Sequence, residues 1–246
     1  MSQPADLDAF TDTSTSGAPR HGFQGDRGKP PAVRRAPLGL TIAVSRESGA
    51  RGAGIARRVG VRLGWQVYDQ ELLEYMSQDA AARREIVENL PPACLEWIAH
   101  RNAALEQTCG VDEASNLYPL AQTVLALAAR GEAVLIGRGA GCILPRESTL
   151  GVRILAPLAD RIAYMAQWLR LTTAEATARV TARDERRADF LRTHFGRLPG
   201  EVHQYDMLLN SSALGEENCA ELIASRRTAL GDRIGRGSSG SSGSSG

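Results

Sequence analysis

Residues 41–64 read TIAVSRESGARGAGIARRVGVRLG and combine three local signals in one stretch. A short apolar run predicts a β-strand at 40–45. A glycine-rich turn, Gly49–Gly54, follows the strand, and apolar residues then recur at helical spacing over 54–63. A glycine turn between a strand and a helix gathers backbone N–H groups at the positive end of the helix dipole. The stretch therefore predicts an anion-binding loop that opens an α/β domain.

Strands alternate with helices along the rest of the chain. Thr172 and Glu175 have the spacing of a capping box, which predicts the start of a helix there. Strands that alternate with helices are typical of a parallel sheet with helices on both faces, so we predict a three-layer α/β fold. The other predicted strands are 65–69, 133–137, 152–158 and 206–212, and the other predicted helices are about 70–130, interrupted at Pro91-Pro92 and near Gly110, and 215–228.

The two ends of the chain differ in composition from its centre. Residues 1–37 are rich in Ser, Thr, Gly and Pro and have no apolar period, which predicts a disordered tail. Residues 235–246 end in GSSGSSGSSG, which is typical of a flexible linker or tag. We therefore assign one folded domain to residues 38–234.

The overall composition excludes several classes of function. A net charge of +1 gives no indication of a nucleic-acid or membrane surface. No apolar run reaches the roughly 20 residues of a membrane helix, and no signal pattern opens the chain, so we expect a cytoplasmic protein. The four cysteines lack metal-ligand spacing, and we expect free thiols.

Positive charge in this chain comes almost entirely from arginine. Lys29, in the predicted tail, is the single lysine of the sequence, so the folded domain has no lysine for a phosphate loop. Arginine stays charged and binds phosphate through a planar fork. Arg51, with Arg46 or Arg57 as alternatives, is predicted to supply the missing cation. The alternative interpretation is that these arginines are solvated surface residues in a chain with an Arg-for-Lys bias.

Two further residues follow predicted strands at the carboxyl edge of the sheet, where ligands bind. Asp69 ends the second strand and is predicted to hold a magnesium-bound water or to accept a proton. A helix N-cap is an equally good interpretation of Asp69. Arg138 lies between two glycines after the third strand and is predicted to bind a phosphate, the alternative being a simple strand-ending turn.

The segment ARDERRADFLR (182–192) carries many charges on a predicted helix. Helical spacing places Arg179, Arg183 and Arg187 in line. A charge-rich helix is usually a salt-bridged solvent face. A mobile helix that carries arginines can also stabilise the charge on a phosphoryl group in transfer.

Five motifs, taken in order, resemble those of the cytidylate kinase-like family, relatives of bacterial cytidylate kinases among the P-loop nucleoside monophosphate kinases. The resemblance covers nearly all of residues 39–230. It implies a P-loop kinase-like sheet with an acceptor-binding helical insert at about 70–130 and an arginine-rich lid at about 170–200. It also implies ATP and Mg²⁺ as cofactors, with CMP or dCMP as acceptor, and it leaves a homodimer open. The motifs are SRESGARGAGIA, YDQELL, GRGAG, DERRADF and YDMLLNSS.

The same resemblance implies a role for each candidate residue. Arg183 and Arg187 would neutralise charge in the transition state, and Asp69 would organise Mg²⁺ through water. Arg138 and Gly139 would bind the acceptor phosphate. The donor phosphates of ATP would lie on the loop residues Gly49, Ala50, Arg51, Gly52, Ala53 and Gly54.

The chain also departs from the cytidylate kinase pattern. Gly52 and Gly54 stand where those enzymes have the loop lysine and a magnesium-binding Ser or Thr. Gly139 replaces an acid, and Tyr75 replaces an arginine. Two alternatives therefore stay open: a nucleotide-binding regulatory module with weak or no turnover, and a kinase of another small phosphate acceptor.

Overall fold

A computed structural model describes the backbone of residues 39–237 and the side chains of residues 39–226. The predicted tail at 1–37 and most of the predicted linker at 235–246 lie outside the described residues. The assignment of one domain to residues 38–234 therefore stays a prediction at both of its ends.

Five parallel strands form one sheet in the order β2-β3-β1-β4-β5. The central strands are apolar and buried, as expected where helices cover both faces of a sheet. The chain moves to one side of β1 for β2 and β3, and to the other side for β4 and β5. This reversal opens a crevice at the carboxyl end of β1, where α/β sheets bind ligands. The strands are β1 (Thr41–Arg46), β2 (Gln66–Tyr68), β3 (Ala133–Ile136), β4 (Thr149–Leu155) and β5 (Met207–Asn210).

Helices pack against both faces of the sheet and form two apolar cores. One core contains Ile55, Ile154 and Ile223, and the other contains Leu73, Leu125 and Leu135. The predicted three-layer α/β fold of the P-loop kinase type is therefore confirmed. The described helices are α1 (Gly52–Leu63), α2 (Gln70–Gln78), α3 (Ala80–Glu88), α4 (Pro92–Cys109), α5 (Tyr118–Arg130), α6 (Ala140–Ile143), α7 (Leu158–Leu169), α8 (Thr173–Phe195) and α9 (Ser211–Gly237).

Several boundaries differ from the sequence-based expectations. The fourth strand begins at Thr149 rather than 152, because Thr149 pairs with Thr41 of β1. Pro157 precedes α7, a helix that the sequence pattern did not predict. Helix α9 starts four residues before the predicted 215 and is kinked at Gly215, which has non-helical dihedral angles. The capping box of Thr172 and Glu175 is confirmed at the start of α8.

The predicted helical insert is a group of four helices, α2 to α5. Its breaks at Pro91 and Gly110 are confirmed, and a further break occurs at Asp79, which caps α3 through the Ala81 and Ala82 amides. None of the helices in the described part of the chain has both the length and the apolar character needed to cross a lipid bilayer.

Candidate phosphate-binding site

The loop between β1 and α1 turns sharply at the carboxyl edge of the sheet. Gly49 (φ +84°) and Arg51 (φ +58°) have left-handed backbones, and α1 starts at Gly52. The first helical hydrogen bond runs from the Ile55 amide to the Arg51 carbonyl at 3.1 Å. The amides of 52–54 therefore lie at the helix start, where no intrahelical acceptor exists. Such a helix start is suited to binding an anion, and the binding of ATP phosphates by the loop stays a prediction.

A buried arginine on α7 holds the inner side of this loop. Arg161 donates to the carbonyl oxygens of Ser48 (3.1 Å) and Ala156 (3.0 Å). It also forms ion pairs with Glu47 (3.3 Å) and Asp184 (2.6 Å). Arg161 thus connects the loop, the end of β4 and α8. No local sequence pattern indicates this role of Arg161.

Gly49 lies directly against the backbone of Arg161. A Cβ atom at this position would fall 2.5 Å from the Arg161 carbonyl oxygen, so the loop has no room for a side chain there. We expect Gly49→Ala to lower the free energy of unfolding by more than the roughly 1–2 kcal/mol that a left-handed backbone costs a non-glycine residue. Urea unfolding measures this loss.

Gly196 offers a matched control for that substitution. It also has a left-handed backbone (φ +62°), but no atom lies within 4 Å of its Cβ position. Gly196→Ala should therefore show the backbone cost alone. Equal losses at the two positions would mean that Gly49 does not depend on its contact with Arg161.

Arg46 occupies the centre of the crevice, beside Gly137. A Cβ atom on Gly137 would overlap the Arg46 guanidinium, so this glycine allows the close approach. Burial, together with the positive charges of Arg187 and Arg138, lowers the pKa of Arg46 to about 10. Three guanidinium groups from β1, the loop after β3 and α8 thus converge at the carboxyl edge. Like charges gathered in this way indicate an anion site.

Arg138 reaches this cluster from the turn after β3. Its backbone is left-handed (φ +51°), its guanidinium forms an ion pair with Glu74, and it lies 5.5 Å from the centre of the Phe190 ring. Burial lowers the pKa of Arg138, and its buried Nε has no hydrogen-bond partner. Gly139 packs against the Phe195 ring of α8, and a side chain at this position would collide with that ring. Acceptor binding by Arg138 and Gly139 stays a prediction.

Helix α8 brings Arg187 and Arg183 to the same crevice. The Arg187 guanidinium lies 3.3 Å from the Asp184 carboxylate. Burial lowers the pKa of Arg187, the negative charge of Asp184 raises it, and the positive charge of Arg183 lowers it further. Asp184 also accepts a hydrogen bond from the Ser48 amide at 2.7 Å. The predicted lid is therefore docked on the predicted phosphate loop in this conformation. The Asp184 carboxylate thus already accepts a hydrogen bond from the amide that directly precedes the Gly49–Gly54 loop.

Asp69 fulfils the helix-cap interpretation and lies near the arginine cluster as well. Its Oδ1 accepts the Leu72 amide hydrogen at 3.0 Å, and its Oδ2 lies 4.0 Å from Arg57. Its negative charge raises the pKa of Arg46. Within the described residues, no group of three or more His, Cys, Asp or Glu side chains could hold a metal.

Arg51 does not join the cluster. Its guanidinium lies 4.9 Å from the centre of the Tyr164 ring on α7. Arg46, named as an alternative cation in the sequence analysis, lies at the centre of the cluster, and the binding of a donor phosphate by Arg51 stays a prediction. Arg46 is the last residue of β1. This position could have indicated its place in the site, because the strands of a parallel sheet end at one edge.

A model of the cytidylate kinase-like family matches residues 41–213 of the chain. The chain belongs to the cytidylate kinase-like family. The matched range contains the loop, the arginine cluster and both predicted family segments, the insert and the lid. The resemblance inferred from the five motifs is thus confirmed. Membership supports a phosphotransferase with a nucleotide-binding P-loop fold, and it leaves the substrate open.

Solved structures of other proteins are similar to this cytidylate kinase-like chain. An uncharacterized protein from Eubacterium ventriosum has 16% sequence identity and a TM-score of 0.54, with 77% of this chain and 98% of that chain covered. A shikimate kinase from Acinetobacter baumannii, solved with shikimate, has 12% identity and a TM-score of 0.42, with 78% and 94% covered. Among curated proteins, no sequence matches the chain.

Proposed function

We propose that this protein transfers the γ-phosphoryl group of ATP to a nucleoside monophosphate, with CMP or dCMP as the acceptor. The observation that carries the proposal is the convergence of Arg46, Arg138 and Arg187 beside a loop whose helix-start amides have no intrahelical acceptor. In phosphoryl transfer the protein contributes mainly positioning and charge stabilisation, and this arrangement supplies both.

Each part of the crevice has a distinct task in this proposal. The amides of the Gly49–Gly54 loop, apart from that of Ala50, which donates to the Glu47 carbonyl at 3.3 Å, bind the donor phosphates, and Arg138 binds the acceptor phosphate. Arg187, with Arg183 beside it on α8, stabilises the negative charge on the group in transfer. Arg46 lies between them and contributes a fixed positive charge in place of the absent lysine.

Mg²⁺ fits the site through Asp69 and the phosphate oxygens. When bound, the ion neutralises charge on the transferred group and its neighbouring phosphate. Asp69 would hold the ion through water without giving up its role as the cap of α2, because Oδ1 accepts the Leu72 amide hydrogen while Oδ2 lies 4.0 Å from Arg57.

Two contacts must change when substrates bind. Glu74 has to release the guanidinium of Arg138 for the acceptor phosphate, and Asp184 has to leave the Ser48 amide so that α8 can open and admit the donor phosphates to the Gly49–Gly54 loop. Closure of α8 over bound substrates would then exclude water from the transfer.

A regulatory module that binds nucleotides without turnover is the second candidate. The contact of Asp184 with the loop favours it, as do the glycines at 52 and 54 in place of the lysine and the Ser or Thr of cytidylate kinases. A kinase of another small phosphate acceptor is the third candidate, favoured by Gly139 in place of an acid. The arginines of α8 favour turnover over simple binding.

Release of ADP from ATP and Mg²⁺, measured across a panel of nucleoside monophosphates, tests the proposal. We expect ADP release that depends on CMP or dCMP and is absent without an acceptor. Tight ATP binding without ADP release would replace the proposal by the regulatory module. Absence of turnover with every nucleoside monophosphate, but release with another phosphate acceptor, would replace it by the third candidate.

A further inference from the structure

An exposed aromatic pair lies beside the phosphate loop. Trp168, on the outer surface of α7, is 71% exposed, although large aromatic side chains are mostly buried in folded proteins. It stacks on Tyr164 of the same helix, with ring centres 6.1 Å apart and an angle of 14° between the planes. The two nearly parallel rings form one continuous aromatic surface.

This surface is connected to the loop by Arg51. The guanidinium of Arg51, the residue that precedes α1, lies 4.9 Å from the centre of the Tyr164 ring. Trp168 follows one helical turn further from the loop, a rise of about 6 Å along α7 at 1.5 Å per residue. The order along the surface is therefore phosphate loop, guanidinium, tyrosine ring and tryptophan ring.

We propose that Tyr164 and Trp168 form a stacking surface for the nucleobase of the donor nucleotide. This inference rests on the proposed function, because it needs the polyphosphate on the Gly49–Gly54 loop. A nucleotide bound there by its phosphates extends its base away from the loop, and the aromatic pair is the exposed apolar surface adjacent to it. Every nucleobase has a flat π face, so stacking binds it without requiring a particular hydrogen-bond pattern.

Simple helix stabilisation does not account for the arrangement as well. An aromatic pair four residues apart does stabilise a helix by a few tenths of a kcal/mol. That effect gives no reason for the larger ring to lie outermost and mostly exposed. Tyr164 is half-buried against the small core of Met165, Ala176 and Val180, which holds the inner ring of the surface in place.

The three tryptophans of the chain make the inference directly measurable. Trp65 and Trp97 are buried, at 7% and 8% exposure, so Trp168 dominates the tryptophan fluorescence that comes from solvent-exposed side chains. We expect ATP to quench this emission in the full-length protein. Inorganic tripolyphosphate, which lacks a base, should bind the loop without quenching it.

Substitutions at Trp168 separate stacking from phosphate binding. Trp168→Ala should weaken ATP binding by about 5- to 150-fold, the range expected for one base stacked on an aromatic ring. Its affinity for tripolyphosphate should be unchanged. Trp168→Phe should restore most of the ATP affinity, because phenylalanine keeps a flat ring.

The outcomes distinguish this inference from the proposed function. Quenching by ATP in a protein that releases no ADP would support the stacking surface and overturn the phosphotransfer. Normal ADP release with equal ATP affinity in wild type and Trp168→Ala would overturn the stacking surface alone. Equal quenching by tripolyphosphate and ATP would also overturn it, as would a failure of ATP to bind.

Discussion

Arg187→Ala should lower the rate of ADP release by about 100- to 1000-fold, the cost of removing one well-placed charged or hydrogen-bonding group from a transition state. Arg187 lies on α8 beside Asp184, and its charge acts on Arg46 at the carboxyl edge. It is proposed to contact the group in transfer, whereas the loop amides hold the donor phosphates. The affinity for ATP should therefore stay nearly unchanged, and steady-state kinetics with a separate ATP binding measurement would show this.

Arg186→Ala is the control for this substitution. It removes the same side chain from the next position of α8, but Arg186 is exposed to solvent. The control variant should keep wild-type turnover. A parallel loss of turnover and ATP binding in Arg187→Ala would contradict the assigned role, because it would place Arg187 among the donor-binding groups.

Arg161→Met should lower the free energy of unfolding by roughly 3 kcal/mol. The Arg161 side chain is only 10% exposed and pairs with Glu47 and Asp184. Without it, Glu47 keeps a 3.8 Å ion pair with Arg153, and Asp184 keeps its ion pair with Arg187, but both lose their most buried partner. Removing one member of a buried ion pair typically costs about 3–5 kcal/mol, and the partial exposure of the two acids places this case at the lower end. Urea unfolding measures the loss, provided that the slope of the unfolding free energy against urea concentration is the same in both proteins.

Arg62→Met provides the comparison on the protein surface. Arg62 forms an ion pair with Glu217, whose side chain is 65% exposed. Exposed pairs contribute about 0–1 kcal/mol, so this variant should unfold close to the wild-type midpoint. If Arg161→Met and Arg62→Met lose equal stability, Arg161 does not connect the loop to α8 as the structure indicates.

The fold of this chain could be predicted from local patterns. The central strands are continuous apolar runs, and the helix after Gly49–Gly54 has one apolar stripe, so strand and helix alternate visibly in the sequence. The capping box at Thr172 needs only side chains three residues apart. The sequence pattern does not indicate helix α7, because its apolar residues follow those of β4 directly and the predicted strand 152–158 includes Pro157.

The candidate site could be predicted only in part. Asp69 and Arg138 follow the ends of β2 and β3. Their positions indicated that both lie at the ligand-binding edge, since parallel strands end at one edge of the sheet. Nothing local indicates that Arg161 would pair with Asp184, 23 residues away, or that Arg51 would lie over Tyr164. Such partners depend on how α7 and α8 pack on the loop.

The amino-acid sequence by itself determined the three-layer parallel sheet, the turn that starts α1 and the absence of a loop lysine, because these features depend on neighbouring residues or on composition. Tertiary structure alone decided which arginines lie together in the crevice. Arg46, Arg138 and Arg187 come from distant parts of the chain. The pairing of β3 with β1, and the contact of α8 with the residues that follow β1, bring their charges together. Burial and these charges then lower the pKa of Arg46. Electrostatic interaction depends on distance in space, which the order of residues does not specify.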